Sequence, residues 1–462
     1  MNTFTFRTHT LMLGVVIALS MLVAACSGGS SVAGVGSGGS GVAEGSVSGF
    51  GSVIVAGVEY DDTNASVVAE NAQGQTDVTE AKLGQRVRIK HSKTGVADTI
   101  QVLPQLRGTA SSAQDAQGVF QLLGQTVQVV SASDTQNTVT VLDGLTSVAS
   151  GDELEVHGNW VFDSTRNYSI LVATRIEKLS AAADPVMVSG VVRALSSNVL
   201  TLDDANGQTL QYANLPSSLA AQSLVTAWLP RSALNSTPWA VTRLVDASPD
   251  FSANEQLTLN TQITERDSTN GEIRVQGMRV KFSGTLPSIG STVQISIKRD
   301  GNTFTAVSLE QRQSNNDLGG AVELKGTVPW PADPSQINLR GNLVNIPSTA
   351  LTSNCSGLHT NDKVYLEIKA QRAGPGLPLR ATSVSCSSQI PNSSVIEVTG
   401  TLTQFSTTDK TMQISTSNGT LNLVWNSTSL LPTNLSSLLN RNVEVEYQTI
   451  NGENRLRKVK PD

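Results

Sequence analysis

A chain of 462 residues is too long for one hydrophobic core and is expected to form several domains. Its net charge is −6 and only 15% of its residues are charged, so it lacks the dense Lys and Arg with which phosphate-binding proteins displace counterions. Aromatic residues, at 4%, leave few platforms on which single-stranded bases could stack, and nucleic acid is excluded as a partner on both grounds.

At the N-terminus, Met1–Thr10 carries Arg7 as its one basic side chain, and Leu11–Ala25 is an apolar run that ends at Cys26. The run has signal-peptide length and falls short of the about 20 residues that span a membrane. Leu22-Val23-Ala24-Ala25-Cys26 resembles the lipobox of bacterial lipoproteins, with Val23 where Leu is commoner. The resemblance implies removal of residues 1–25 and attachment of a diacylglycerol to the Cys26 sulfur, making membrane lipid the first partner. Ser27, rather than Asp, follows the cysteine, which by resemblance to Gram-negative lipoproteins favours the outer membrane. The alternative is an ordinary cleaved signal with a chance cysteine.

Residues 26–44 read as a Gly/Ser-rich tether with a reach of roughly 20–25 Å. Gly34-x-Gly36-x-x-Gly39 within it spells a dinucleotide-binding fingerprint, but neither a strand before it nor a helix after it is predicted, so the match is chance.

The organising stretch is Gly45–Tyr60, GSVSGFGSVIVAGVEY. Val53, Val55, Val58 and Tyr60 suit a pleated, half-buried surface, and Gly49, Gly51 and Gly57 permit sharp turns or bulges. With its continuation to Val67 it resembles the opening motif of a bacterial domain-of-unknown-function family, numbered five-six-six-six, found in tandem in exported lipoproteins. That family brings no catalytic residues to transfer.

The pattern returns at Leu106–Gly108, Val188–Gly190, Leu259–Thr261, Leu324–Gly326 and Val398–Gly400, so each repeat is the size of a small domain. A second landmark is a turn residue three positions before an apolar strand: Gly84, Gly151, Gly290, Asn361 and Asn440, with Ala221 in the third unit. Gly and Asn accept left-handed backbone most readily, which points to one shared turn. Short closing strands follow at Ala97–Ile100, Ala173–Ile176, Val241–Leu244, Ala306–Leu309, Ala381–Val384 and Leu456–Val459. Asn206-Gly207, Asn270-Gly271, Asp300-Gly301, Asn418-Gly419 and Asn451-Gly452 mark hairpins.

Linkers are expected at Ser180–Pro185, Ala247–Glu255, Arg312–Gly320 and Ser387–Ser394, with only Pro104-Gln105 between the first two units. The units are therefore residues 45–104, 105–179, 186–246, 256–312, 320–387 and 395–462. About five strands in each, turned by glycines, predict an all-β tandem array of about six small OB-like Greek-key β-barrels, with a small sandwich as the second choice.

Cys355 and Cys386, the other two cysteines, both fall in the fifth unit, and an oxidising compartment predicts a disulfide between them. A nucleophile or metal ligand is the rival role, with His359 four residues from Cys355. His91 and His157 follow the shared turn glycine in two units and read as a repeated surface position, without metal partners. Asp61-Asp62 and Asp203-Asp204 read as solvated turn acids, with a calcium contact as the alternative. No cofactor site and no catalytic motif is recognisable. The sequence thus predicts a non-enzymatic, envelope-anchored lipoprotein whose modules bind or space an envelope glycan or protein; the alternative is an envelope glycan hydrolase using carboxylates from adjacent units.

Overall fold

A computed structural model describes residues 40–93, 95–134, 138–301, 303–311, 321–389, 395–416, 419–432 and 434–461. The expected signal peptide, Cys26, the tether as far as Gly39, the linker at 312–320, most of the one at 387–394 and Asn418 lie outside the described residues. The chain is all-β.

In the first unit β1 (Gly41–Phe50) is followed by β2 (Val53–Val55), β3 (Val58–Tyr60), β4 (Ser66–Glu70), β5 (Thr76–Val78), β6 (Arg86–His91) and β7 (Thr99–Val102). β1 pairs antiparallel with β2 and β6, β2 with β3, β6 with β7, and β7 runs parallel to β4. Taking β3 and β4 as one edge, the pairing order is first, second, third, fifth, fourth and back to first.

The same order recurs. The second unit has β8 (Leu106–Thr109), β9 (Val119–Leu122), β10 (Gln125–Val129), β11 (Val141–Asp143), β12 (Glu153–Asp163) and β13 (Tyr168–Lys178), with the parallel seam at β10 and β11 against β13. A bridge between Ala110 and Leu122 joins its first two strands. The third has β14 (Val186–Leu195), β15 (Val199–Leu202), β16 (Thr209–Gln211), β17 (Leu224–Leu229), β18 (Trp239–Ala240) and β19 (Arg243–Asp246). The fourth has β20 (Gln256–Gln262), β21 (Glu265–Asp267), β22 (Glu272–Val275), β23 (Met278–Lys281), β24 (Thr292–Asp300) and β25 (Thr303–Gln311).

The fifth unit has β26 (Ala321–Pro329), β27 (Gln336–Leu339), β28 (Asn342–Asn345), β29 (Lys363–Arg372) and β30 (Leu379–Ser387). Four of its seams carry ladders or packed edges, while β26 meets β27 without a ladder among the described residues. The sixth, β31 (Val395–Ser406), β32 (Thr411–Thr416), β33 (Gly419–Val424), β34 (Asn442–Ile450) and β35 (Glu453–Pro461), closes fully.

The shared turn is real in all six units. Gly84, Gly151, Gln222, Gly290, Asn361 and Asn440 have φ of 82°, 91°, 71°, 82°, 72° and 62°. Each donates its amide to one residue of its unit's first strand or the bend after it, respectively Val47, Ala110, Val192, Ile263, Trp330 and Leu402. The residue after each turn accepts that partner's amide in return. In the third unit the turn residue is therefore Gln222, not Ala221. Counting back two residues from each partner gives Gly45, Gly108, Gly190, Thr261, Val328 and Gly400. Gly49 and Gly326, which the sequence aligned with these, occupy other positions.

The six units do not keep separate sheets. The first, fourth, fifth and sixth units contribute to one mixed 23-stranded sheet, and the second and third to one of 12 strands. The tether does not reach Glu44: β1 begins at Gly41, where Val42, Ala43 and Glu44 are buried. Gly41–Glu44 runs parallel to Gln256–Leu259 of β20, and Gly49-Phe50 runs parallel to Glu323-Leu324 of β26. Glycine permits that approach, since a Cβ on Gly49 would lie 2.4 Å from the Glu323 carbonyl oxygen.

Cores merge as well. The first and fifth units share one apolar cluster, the second and third another, Val42 joins the core of the fourth, and the sixth keeps its own. Two expected linkers are pinned rather than open. Ala183 is buried and its carbonyl accepts from Arg231, and Phe251 is buried in the fourth core.

Candidate functional site

Polar groups that reading the sequence left at the surface are buried at contacts between units. Asp62 does not sit in a solvated turn: it is 7% exposed and accepts from Arg457 Nη2 of β35 at 2.9 Å, with Arg340 3.9 Å away. Burial alone would push its carboxyl up, but Arg457 and Arg340 outweigh it and hold it below the ordinary value. Asp203 accepts from the amide and hydroxyl of Ser169 in the second unit and from Arg193, while Asp204, wholly buried, accepts from Gln125 Nε2 at 2.7 Å. These acids clamp units together. Asp61 is exposed and accepts the Thr63 amide.

His91 and His157 are not a surface position either. His91 is 2% exposed and packs against Tyr60 with ring centroids 5.5 Å apart and planes tilted by 40°. His157 is fully buried with Nε2 3.0 Å from Glu155. His91 falls on the inward face of β6 with the core residues Val87 and Ile89, whereas His157 shares with Glu155 the face of β12 opposite the core residues Leu154 and Val156. His359 is exposed beside Asp362, and among the described residues no His, Cys, Asp or Glu cluster could hold a metal.

Cys355 and Cys386 form a disulfide, with Cα atoms 5.0 Å apart. Cys386 lies within β30, not after the closing strand, and Cys355 ends a short 3-10 turn, Ser353–Cys355. Backbone pairing of Leu351 and Thr352 with Val384 draws the two segments together.

Clefts remain where units meet the first one. Between the first and third units a cleft of about 160 Å³ is lined by Glu44, Arg88, Met187, Trp228 and Arg243. Glu44, 1% exposed, accepts from Arg86 at 2.5 Å and from Arg88 at 2.8 Å. Burial would raise this carboxyl, and Arg88 and Arg86 bring it below the ordinary range. Arg243 pairs with Glu70 and lies 4.4 Å over the Trp228 ring. Trp228 is 7% exposed, and the guanidinium covers the face of its ring.

Between the first and sixth units a second cleft, of about 140 Å³, gathers Asp62, Glu80, Glu446, Arg457 and Lys458. Lys458 Nζ lies 2.7 Å from Glu80 and 3.9 Å from Glu446, so one ammonium is shared by two carboxylates. Burial lowers its affinity for the proton, but Glu80 and Glu446 raise it further, and Lys458 stays charged.

Strand alternation in the sequence signals some buried polar groups, as in β6, where His91 follows Val87 and Ile89 on one face. In Lys363–Arg372 the residues at 364, 366, 368, 370 and 372 alternate inward, and the last of them is Arg372. The chain matches no family model and no curated protein. Among the described residues no helix is long and apolar enough to cross a membrane.

Proposed function

We propose that this chain is a non-enzymatic lipoprotein of the bacterial envelope, held to the outer membrane by an acylated Cys26, and that it serves as a structural and binding block. Each unit is read as an OB-like Greek-key barrel, because the strand order first, second, third, fifth, fourth is that of the five-stranded OB ring. The lipobox, the tether and the likeness of Gly45–Val67 to the domain family of exported lipoproteins support the location.

The observation that carries the reading is where the buried charges go. Glu44, Asp62, Asp203 and Asp204 are each taken up by partners that fasten one unit to another or brace such a seam. Every described carboxyl group whose pKa clearly departs from its ordinary value has it lowered, whereas a general acid needs a raised pKa. The cleft beside Trp228 is the proposed contact for an envelope glycan or protein.

The test combines metabolic labelling with a tagged fatty acid, crosslinking of intact envelopes and a glycan array. Cys26→Ser should lose the label and leave precursor in the inner membrane, and Arg243→Gln should lose any captured ligand. Label kept on Cys26→Ser would end the lipoprotein reading.

A second reading, an envelope glycan hydrolase, draws on Glu80 and Glu446 at one cleft. It requires that Lys458 give way to a sugar. Release of reducing ends from envelope glycans by the wild type, and its loss in Glu80→Gln, would establish it.

A further inference from the structure

Arg372 ends β29 with its side chain turned inward and only 9% exposed. Its Nη1 donates to the Val139 carbonyl of the second unit at 2.7 Å, and its buried Nε has no partner. Among the described residues it makes no ion pair; Asp143, which borders the adjoining pocket, is bonded to Arg175. Burial, followed by the nearby Arg175, pushes this guanidinium down to about 10, which leaves it charged at neutral pH.

The guanidinium borders a pocket of about 50 Å³ where four units meet. Ser46 and Ser48 come from the first unit, Asn159 and Thr174 from the second, Thr261 and Thr292 from the fourth, and Arg372 from the fifth. The wall holds hydroxyls and amides, one cation and no carboxylate. At about 10–15 Å³ for each water-sized site, there is room for roughly three to five oxygen atoms. A sugar ring or a peptide is too large. A charge buried without a counter-ion is unfavourable, whereas hydroxyl and amide donors around a cation are what an oxyanion needs.

We propose that Arg372 and this four-unit pocket bind one small inorganic oxyanion of the sulfate or phosphate class. The anion neutralises the guanidinium and accepts from the Asn159 amide of the second unit and the Thr261 and Thr292 hydroxyls of the fourth, since the Ser46, Ser48 and Thr174 hydroxyls already donate to Thr174, Ile54 and Gly84. It thereby links the fifth unit to the second and the fourth.

The experiment uses the intact chain. Protein denatured after purification in chloride buffer is assayed for released sulfate and phosphate by ion chromatography. Protein stripped of anions by dialysis is then titrated calorimetrically with sodium sulfate and sodium phosphate, at ionic strength matched with chloride, and its thermal midpoint is followed. The expected result is about one equivalent of released anion, or a saturable isotherm with one site per chain, and a midpoint that rises by several degrees to a plateau. Arg372→Gln should lose the plateau and keep only the unsaturating rise that such salts give any protein. Thr292→Val, which keeps the cation, should weaken binding several-fold. No released anion together with a flat isotherm for the wild type would overturn the proposal even if Arg372→Gln failed to fold. Equal, unsaturating midpoint shifts in wild type and Arg372→Gln would overturn it as well.

Discussion

Arg457, in the last strand of the chain, donates to Asp62 across 395 residues of sequence. The bond fastens the sixth unit to the first, and Lys458 adds a second tie to Glu80 at 2.7 Å. Asp62→Ala should leave Arg457 largely buried without its carboxylate and cost roughly 3 kcal/mol. Urea denaturation of wild type, Asp62→Ala and the Asp62→Ala/Arg457→Met pair checks this. The double variant should recover part of the loss, and identical midpoints for wild type and Asp62→Ala would refute the clamp.

The same pair sets an acid limit. The folded Asp62 carboxyl lies below its ordinary 3.8 and that of Glu44 below 4.5. A lowered carboxyl stabilises fully above its ordinary value and loses that contribution as pH falls through the folded one. Stability should therefore hold from neutral pH down to roughly pH 5 and fall below about pH 4. Denaturation midpoints measured from pH 3 to 8 test the shape, and Asp62→Asn should flatten the acid limb.

Reduction of Cys355–Cys386 removes a bridge across 31 residues, worth roughly 3–4 kcal/mol in the chain-entropy picture. Because the fifth unit shares its core with the first, the loss should be felt there and not in the sixth, whose core is its own. Hydrogen exchange with and without reductant distinguishes them. Deprotection of β34 and β35 ahead of β6 and β7 would contradict the shared core.

Gly49→Ala should open the seam between β1 and β26, because the new Cβ would meet the Glu323 carbonyl at 2.4 Å, with a cost of about 1–3 kcal/mol. Gly290→Ala is the matched control. Its Cβ would meet nothing within 4 Å, leaving only the left-handed backbone strain of about 1 kcal/mol. Thermal midpoints that rank the two in the opposite order would count against the seam.

Limited proteolysis should spare Ala247–Glu255, contrary to its linker-like composition, since Phe251 is buried and the Ala247 carbonyl accepts from Arg88. Early cleavage there, read by mass spectrometry, would mean that Phe251 does not hold the segment down.

What was legible in the sequence is local. Asn270-Gly271, Asp300-Gly301 and Asn451-Gly452 do turn hairpins, because φ > 0 at Gly is written in the residue itself. The shared turn was readable where it uses Gly or Asn and misplaced by one where it uses Gln222, a side chain that does not announce left-handed backbone. The joins between units were not readable. Parallel ladders such as Gly41–Glu44 against Gln256–Leu259 are made of backbone, and an edge strand carries no mark of its partner. Asp62, Asp203 and Asp204 looked like turn acids because a carboxylate beside a turn has the same spelling whether it faces water or a donor from another unit.

The position of β1 has a mechanical consequence. Its first residues lie between β6 on one side and β20 on the other, and its last residues between β2 and β26. A pull delivered through the chain before Gly41 runs along this strand, at right angles to its antiparallel rungs, and loads them together in shear instead of opening them one at a time. Tension entering at the N-terminus is thus divided at once among the first, fourth and fifth units, and the strand nearest the source of the pull is the one most heavily braced.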